Sequence, residues 1–389
     1  MRTVAPRSLL AAGLLALVCC RPAIAGDPIE MAAAAQLAQI VRTVHPEGAR
    51  LTQREYVSPL DVLEELDDLT CTIERPYRDG DPAWPALPAV ASVPPADIED
   101  SAFRWHGLLA TMRGGAIIIG TVEGLAGERA GLKPYDKVIE VNGRSIVAQK
   151  SRVVCGWITG CLASHLHLKV LRPGETAPRE FHLEQPQQRV ERPLPSVRRL
   201  EGGRIWIRIP AFEPRSADTL GAALEQVRAQ GPVTGVIVDL RCCPGGFLNC
   251  VVDVGRLLVP RKGVMFQAAF ADRTEPYAQE IDSPQLPTVV LIDGATVGSG
   301  EVTALMLREV LGAPLVGSRT VGRCGVFSMY PLSDGSHIKL RTGKLLTSRG
   351  VEVPPIGLTP DVEAPAGDRL SGDPARDPQL AAALAKLAH

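Results

Sequence analysis

The chain's reactive side chains are few, and their spacing excludes more chemistry than it permits. Gly124, Gly127 and Gly131 lie close together, as in a loop that cradles phosphate. Their spacing departs from G-x-G-x-x-G and no Lys-Ser/Thr pair follows, so a nucleotide loop is excluded. Nine cysteines and seven histidines are the soft ligands available. No C-x-x-C pair occurs and the histidines do not fall at ligand spacing around the cysteines, so neither a metal centre nor a cofactor is expected. His106 reads as a loop residue rather than a ligand, and no spacing favours His106, His165, His167 or His337 as a base.

Charge and composition narrow the partners. Of 389 residues, 45% are hydrophobic and 22% charged, enough for two domains with cores of their own. Net charge is −1 with no long run of Lys or Arg, so nucleic acid, which binds clustered cations, is not an expected partner. Arg2 and Arg7 precede an apolar run over residues 9–18, and Ala23-Ile24-Ala25 follows. That is the layout of a signal peptide over residues 1–25, cut after Ala25, and it predicts a periplasmic or secreted protein. The run is too short to span about 30 Å of hydrocarbon. Cys19 and Cys20 raise a lipoprotein alternative, but Leu17-Val18 lacks the small residues expected before a lipidated cysteine. Cleavage leaves Cys71, Cys155, Cys161, Cys242, Cys243, Cys250 and Cys324, an odd set in which disulfides are permitted and at least one thiol stays unpaired.

Periodicity supplies the elements that must hold any site. Residues 31–44 predict an amphipathic helix with Met31, Ala34, Leu37, Val41 and Val44 on one face. Residues 61–69 read as a second short helix, and 78–95 as a proline-rich linker. Strands are expected over 115–121, 138–141, 166–171 and 179–183, with a hairpin turn at Asn142-Gly143. Beyond Val197 the pattern alternates. A strand over 203–209 precedes a helix capped by Ser216, and a buried strand over 235–240 leads through a bend at 241–246 into a helix over 248–258. A buried strand over 288–292, a helix over 301–311 and short strands over 315–317 and 336–340 complete an α/β core.

Two stretches carry a likeness to known families. Ala130-Gly131-Leu132, Asp136, Val138 and Val141-Asn142-Gly143 resemble the A-G-L-x-x-x-D-x-I-x-x-[IV]-[ND]-G run of protease-associated PDZ domains. That likeness implies a PDZ-like domain over 102–186, which takes an extended C-terminal peptide as an added strand. Its carboxylate loop would be His106-Gly107-Leu108-Leu109. Further on, Ile205-Trp206-Ile207-Arg208-Ile209-Pro210-Ala211-Phe212 and Val238-Asp239-Leu240-Arg241-Cys242-Cys243-Pro244-Gly245-Gly246 are followed by residues 316–323 and 357–362 in the order of C-terminal processing (tail-specific) peptidases. The resemblance implies a crotonase-like α/β peptidase core over 196–366, and the pattern outside it leaves a helical N-terminal segment and linker over 27–100 and a C-terminal tail or helix over 367–389.

The family cuts unstructured C-terminal tails with a serine nucleophile whose proton goes to a desolvated lysine, and a glutamine four residues after the lysine helps hold the pair. Backbone amides, with Gly245 and Gly246 as the matching residues, would hold the oxyanion. Here the nucleophile position falls on Gly298, the lysine position on Arg323 and the glutamine position on Phe327. The interval from Gly298 to Arg323 is 25 residues (323 − 298), as the pattern expects. Arginine keeps its proton up to a pKa above about 12 and is no base. Loss of a nucleophile costs on the order of 10⁶ in turnover.

Two escapes stay open. Ser299 is one residue from the nucleophile position, although it also reads as the N-cap of the helix over 301–311, and Lys339 and Lys344 are remote on a separate strand. Cys242 and Cys243 stand where the family has Asn-Asn, and Cys324 follows the lysine position. The resemblance implies that these loops meet, either to form a disulfide across the site or to set a thiol beside Arg323 that lowers its pKa. The reading is an exported homologue that binds protein C-terminal tails or peptides without cutting them. The alternatives are an active peptidase using Ser299 or a cysteine, and a PDZ scaffold.

Overall fold

The computed structural model describes residues 28–45, 51, 53, 62, 72–74, 108–111, 117–121, 126–133, 136–147, 149, 166–184, 194–320, 322, 324–333, 337–353, 356–367 and 372–388. Among these, α1 (Pro28–Val44) and β1 (Thr72–Glu74) come first. The chain continues through β2 (Leu108–Thr111), β3 (Ile117–Thr121), the single turn α2 (Ala126–Arg129), β4 (Lys137–Val141), β5 (Arg144–Ser145), β6 (Leu166–Leu171) and β7 (Arg179–Leu183). Next are β8 (Ser196–Arg199), β9 (Arg204–Arg208), α3 (Ser216–Ala229), β10 (Gly235–Asp239), α4 (Leu248–Leu258), β11 (Gly263–Phe270), β12 (Thr274–Gln279) and β13 (Thr288–Ile292). The last are α5 (Ser299–Leu311), β14 (Leu315–Gly317), β15 (Val326–Pro331), β16 (His337–Leu346), β17 (Val362–Glu363) and α6 (Pro378–Leu387).

The continuous apolar runs become the centre of a sheet ordered β17-β14-β13-β10-β9-β8, parallel except where β8 meets β9. Strands buried on both faces need apolar residues at every position, which is why these runs do not alternate with polar ones. Ile205, Ile207, Val238, Val290 and Ile292 face one side, against Leu220, Leu224, Val251 and Leu305 of α3, α4 and α5. Trp206, Ile237, Val289 and Leu291 face the other, against Leu380 and Ala383 of α6.

A buried ion cluster ties α6 to this sheet. Arg241, 1% exposed, donates to Asp239 Oδ2 at 2.6 Å and Asp377 Oδ2 at 2.8 Å, and its Nη1 donates to Gln379 Oε1 at 3.0 Å. Asp377 also caps α6 by accepting the Leu380 N–H at 3.1 Å. A charge so deep is tolerated because every face of the guanidinium has an acceptor.

A second sheet, antiparallel, runs β2-β3-β4-β6-β7 with β5 beside β4. Asn142 and Gly143 have φ of 47° and 73°, the left-handed pair expected of the hairpin turn. Fully buried Asp136 holds the loop ahead of β4, accepting from Arg172 at 2.7 Å and from the Lys133 N–H at 2.9 Å. The third sheet is ordered β1-β16-β11-β12, with β15 also on β16. Ala33, Ala34, Leu37, Ala38 and Val41 of α1 pack on Ile338 and Leu340 of that sheet and on Leu332 just after β15.

Several expectations need adjustment. Met31 and Val44 are only half-buried, so the inward stripe of α1 is rotated toward Ala33 and Ala38. Ser216 is not an N-cap. It opens α3 as its first residue, and its buried hydroxyl accepts the Glu213 N–H at 2.8 Å and donates to the Ala211 carbonyl at 3.2 Å. The strand expected over 336–340 extends to Leu346, and its β15 and β11 partners had no distinct sequence signal. Of the helix expected over 61–69, only Val62 lies within the described residues. No helix among them is long and apolar enough to cross a membrane.

Candidate active site

The candidate site forms where four parallel strands end, the crevice that open α/β sheets use for ligands. The chain leaves β9 into Pro210-Ala211-Phe212, β10 into Arg241–Gly246, β13 into Asp293–Gly298 and β14 into Ser318–Gly322. These loops are stitched together by backbone. The Phe212 N–H donates to the Gly245 carbonyl at 2.9 Å, and the Phe247 N–H donates to the Phe212 carbonyl at 3.0 Å. The Val297 N–H donates to the Cys243 carbonyl at 2.9 Å. Asp293 Oδ1 accepts the Cys242 N–H at 3.0 Å, and Thr296 Oγ1 donates to the Leu240 carbonyl at 2.8 Å.

Only glycine fits at the Pro244-Gly245-Gly246 bend. A Cβ on Gly246 would lie 2.1 Å from the Phe212 carbonyl oxygen, and one on Gly245 would lie 3.2 Å from the Ser299 nitrogen. The bend therefore packs directly against the start of α5. Gly298 is the N-cap of that helix, with φ 53° and ψ −111°. This is a sharp, strained strand-to-helix turn of the kind that presents a nucleophile above a sheet. The residue there has no side chain to present.

Ser299 is the first residue of α5, not its cap, because the helix begins two residues earlier than expected. It is 8% exposed, and its Oγ donates to the Gly246 carbonyl at 2.9 Å. That hydroxyl fastens the helix to the glycine bend. Phe327 lies half-buried in β15 opposite Arg341. Arg323 lies outside the described residues, as do His106 and Gly107. Leu108 and Leu109 belong to strand β2 rather than a loop, paired with Thr121 and Gly120, and Leu108 is fully buried.

The cysteines also depart from expectation. No disulfide joins Cys242, Cys243, Cys250 or Cys324. The loops do approach each other: Cys324 Sγ is 4.0 Å from the Gly298 carbonyl, and Cys243 Sγ would touch a Cβ on Gly300 at 3.3 Å. Burial pushes the Cys243 thiol up to about 12. Burial, reinforced by the Glu301 carboxylate, pushes Cys324 well above the ordinary thiol value. Neither is a thiolate at neutral pH, which removes the electrostatic activation a catalytic cysteine needs.

Glu301 is the residue that sequence reasoning undervalued. Fully buried, it accepts the Gly298 N–H through Oε2 at 3.1 Å, and through Oε1 it accepts the Gly322 N–H at 2.6 Å and the Thr320 hydroxyl at 2.5 Å. Its position three residues after the N-cap is the capping-box offset, a signal available in the sequence. Gly357 and Leu358 close the same joint. A Cβ on Gly357 would lie 2.1 Å from the Thr320 carbonyl, and the Leu358 N–H donates to Thr320 Oγ1 at 2.8 Å.

A family model described as peptidase family S41 matches residues 205–364, the stretch that contributes all four of these loops. Residues 205–364 are a peptidase family S41 domain. Among relatives, carboxy-terminal processing protease CtpB of Bacillus subtilis is 27% identical over 283 residues, covering 72% of this chain and 59% of that protein. The carboxyl-terminal-processing protease of Synechocystis sp. is 27% identical over 256 residues, covering 64% of this chain and 59% of that protein. The chain thus spans a little over half the length of the curated relatives it matches. In fold, it superposes on a photosystem II D1 C-terminal processing protease with a TM-score of 0.65 at 20% identity, covering 86% of this chain and 92% of the other. A putative S41 protease from Bacteroides fragilis gives a TM-score of 0.52 at 16% identity, covering 84% and 89%. The mixed α/β sheets are those of the S41 C-terminal protease fold.

Proposed function

We propose that this chain is an exported S41 homologue that holds protein C-terminal tails and has lost the ability to cut them. One observation carries the loss: the bend whose shape suits a nucleophile has glycine at position 298, with φ 53° and ψ −111°. The S41 chemistry needs an oxygen there and a neutral amine to take its proton. By resemblance the amine position is Arg323, which does not deprotonate near neutral pH.

The active-peptidase reading has less support. Ser299 Oγ is engaged with the Gly246 carbonyl at 2.9 Å, and serving as nucleophile would require that hydrogen bond to break. The cysteine route needs a thiolate, and burial opposes one at both Cys243 and Cys324.

Tail binding is supported by β2, which among the described residues ends the five-strand path β2-β3-β4-β6-β7 and so offers an edge to an added strand. We read residues 102–186 as PDZ-like on that basis and on the motif at 130–143. Export is supported by the leader-like residues 1–25. The test uses the chain without residues 1–25 and a fluorescent peptide with a free C-terminal carboxylate, beside its amidated twin. Tighter binding of the free acid, with the peptide intact by mass, supports the reading. Equal affinity for both, or peptide cleavage, overturns it.

A further inference from the structure

Far from the S41 loops, the register of β6 on β7 brings His167 beside two potential ligands from the next strand. His167 pairs directly with His182, and Glu180 lies two residues before His182 on the same face. The two imidazoles stack with centroids 4.1 Å apart and planes 4° from parallel. His167 Nε2 lies 3.6 Å from Glu180 Oε2, and one ligand atom from each residue falls within 4.8 Å of the other two. A second observation concerns that same nitrogen. His167 Nε2 is closed off from solvent with no hydrogen-bond partner, although the rest of the ring is partly open. A buried polar atom left without a partner costs free energy, and its retention calls for a physical reason.

We propose that His167, Glu180 and His182 form a binding site for a divalent cation of the zinc class. Two imidazole nitrogens and one carboxylate oxygen are the donors that borderline cations favour, whereas Mg²⁺ and Ca²⁺ require mostly oxygen. Ligand atoms around tetrahedral zinc stand about 3.3 Å apart, as bond lengths near 2 Å dictate. Coordination would require the two rings to leave their parallel stack, so that one nitrogen of each points at the same ion.

The backbone beneath is firm. The His167 N–H donates to Asn142 Oδ1 at 2.7 Å, and the His167 carbonyl accepts the Asn142 N–H at 2.8 Å. Leu166, Leu168 and Val170 bury the opposite face of β6. Lys169 is the competitor. Its ammonium lies 3.2 Å from Glu180 Oε1 and 3.6 Å from Glu140 Oε2. An entering cation takes Glu180 and leaves Lys169 to Glu140, so the lysine limits affinity rather than forbidding binding. The bound ion would clamp β7, the outer strand of this sheet, onto β6, and its remaining positions would face solvent.

The experiment titrates zinc chloride into the chain without residues 1–25 by calorimetry at neutral pH with cysteines kept reduced. Wild type is expected to bind one equivalent. His182→Ala and Glu180→Gln are expected to weaken binding on the order of tenfold or more, and Lys169→Gln to strengthen it. All three side chains reach the surface, and circular dichroism verifies that the variants fold. Because thiols also bind zinc, a Cys242→Ser/Cys243→Ser/Cys324→Ser variant is run beside them and is expected to retain the one-equivalent site. Absence of binding to wild type, binding unchanged by His182→Ala, or binding abolished in the serine variant with its fold intact would each overturn the proposal.

Discussion

Glu301 Oε2 accepts the Gly298 N–H at 3.1 Å, so the residue at the nucleophile bend is held by an acid one helical turn away. The second oxygen of the same carboxylate reaches the loop after β14, where it accepts the Gly322 N–H at 2.6 Å. One buried carboxylate therefore fixes the distance between the loop that bears position 298 and the loop that leads to position 323.

Replacing Glu301 should loosen both loops together. Glu301→Ala removes the acceptor of the Gly298 and Gly322 N–H groups and of the Thr320 hydroxyl from a fully buried position, and is expected to cost about 2–4 kcal/mol. Glu301→Gln keeps the shape but turns an amide NH₂ toward N–H donors, and should cost about half as much. Urea unfolding of the three proteins checks the order.

The glycines divide into two kinds. Gly246→Ala drives a Cβ against the backbone oxygen of Phe212 at 2.1 Å, which no rotamer change relieves, and should cost about 3 kcal/mol or more. Gly298→Ala introduces the strain of φ 53° at a bend, about 1–3 kcal/mol, and should fold. Thermal midpoints of the two variants measure the difference.

How far the sequence reveals this molecule depends on the range of the signal. Residues 166–171, 179–183, 248–258, 288–292 and 315–317 form the elements their periodicity predicts, because burial on one or both faces imposes that pattern directly. The β11–β12 hairpin was not legible, since Thr274 to Gln279 mixes Glu, Pro and Tyr in a strand with little apolar alternation. Ser299 illustrates a boundary error: Gly298 can cap a helix through backbone geometry alone, so the helix starts before the serine. His167 and His182 illustrate the larger gap. They are fifteen residues apart (182 − 167), and only strand register makes them neighbours.

The Arg241 cluster predicts a pH response. Burial alone would raise the Asp239 carboxyl, but the Arg241 guanidinium outweighs it and holds the group below its ordinary value. Its contribution is complete above the unfolded carboxyl pKa of roughly 3.9 and is lost as pH falls through the lower folded value. Acid unfolding of Asp239→Asn should therefore depend less steeply on pH below about 4 than that of wild type. Asp377→Ala leaves a buried guanidinium short of a partner and should cost about 3–5 kcal/mol at neutral pH.

Thiol chemistry checks the cysteine assignments separately. Cys243 is fully buried with its thiol pushed up to about 12, so Ellman's reagent at pH 8 should leave it unmodified in the folded chain and modify it in denaturant. Rapid labelling of native Cys243 would indicate an accessible thiolate and revive the cysteine route.

Proteolysis itself is the most direct test. The chain without residues 1–25 is incubated with a protein bearing an unstructured C-terminal tail, and intact mass is followed over hours. Wild type, Ser299→Ala and a Gly298→Ser/Arg323→Lys/Phe327→Gln triple variant are run together. The account predicts no shortening by wild type or Ser299→Ala, and measurable shortening by the triple variant, whose bend already has the geometry a serine needs. Cleavage by wild type that Ser299→Ala abolishes would contradict it, and would make Ser299 the nucleophile.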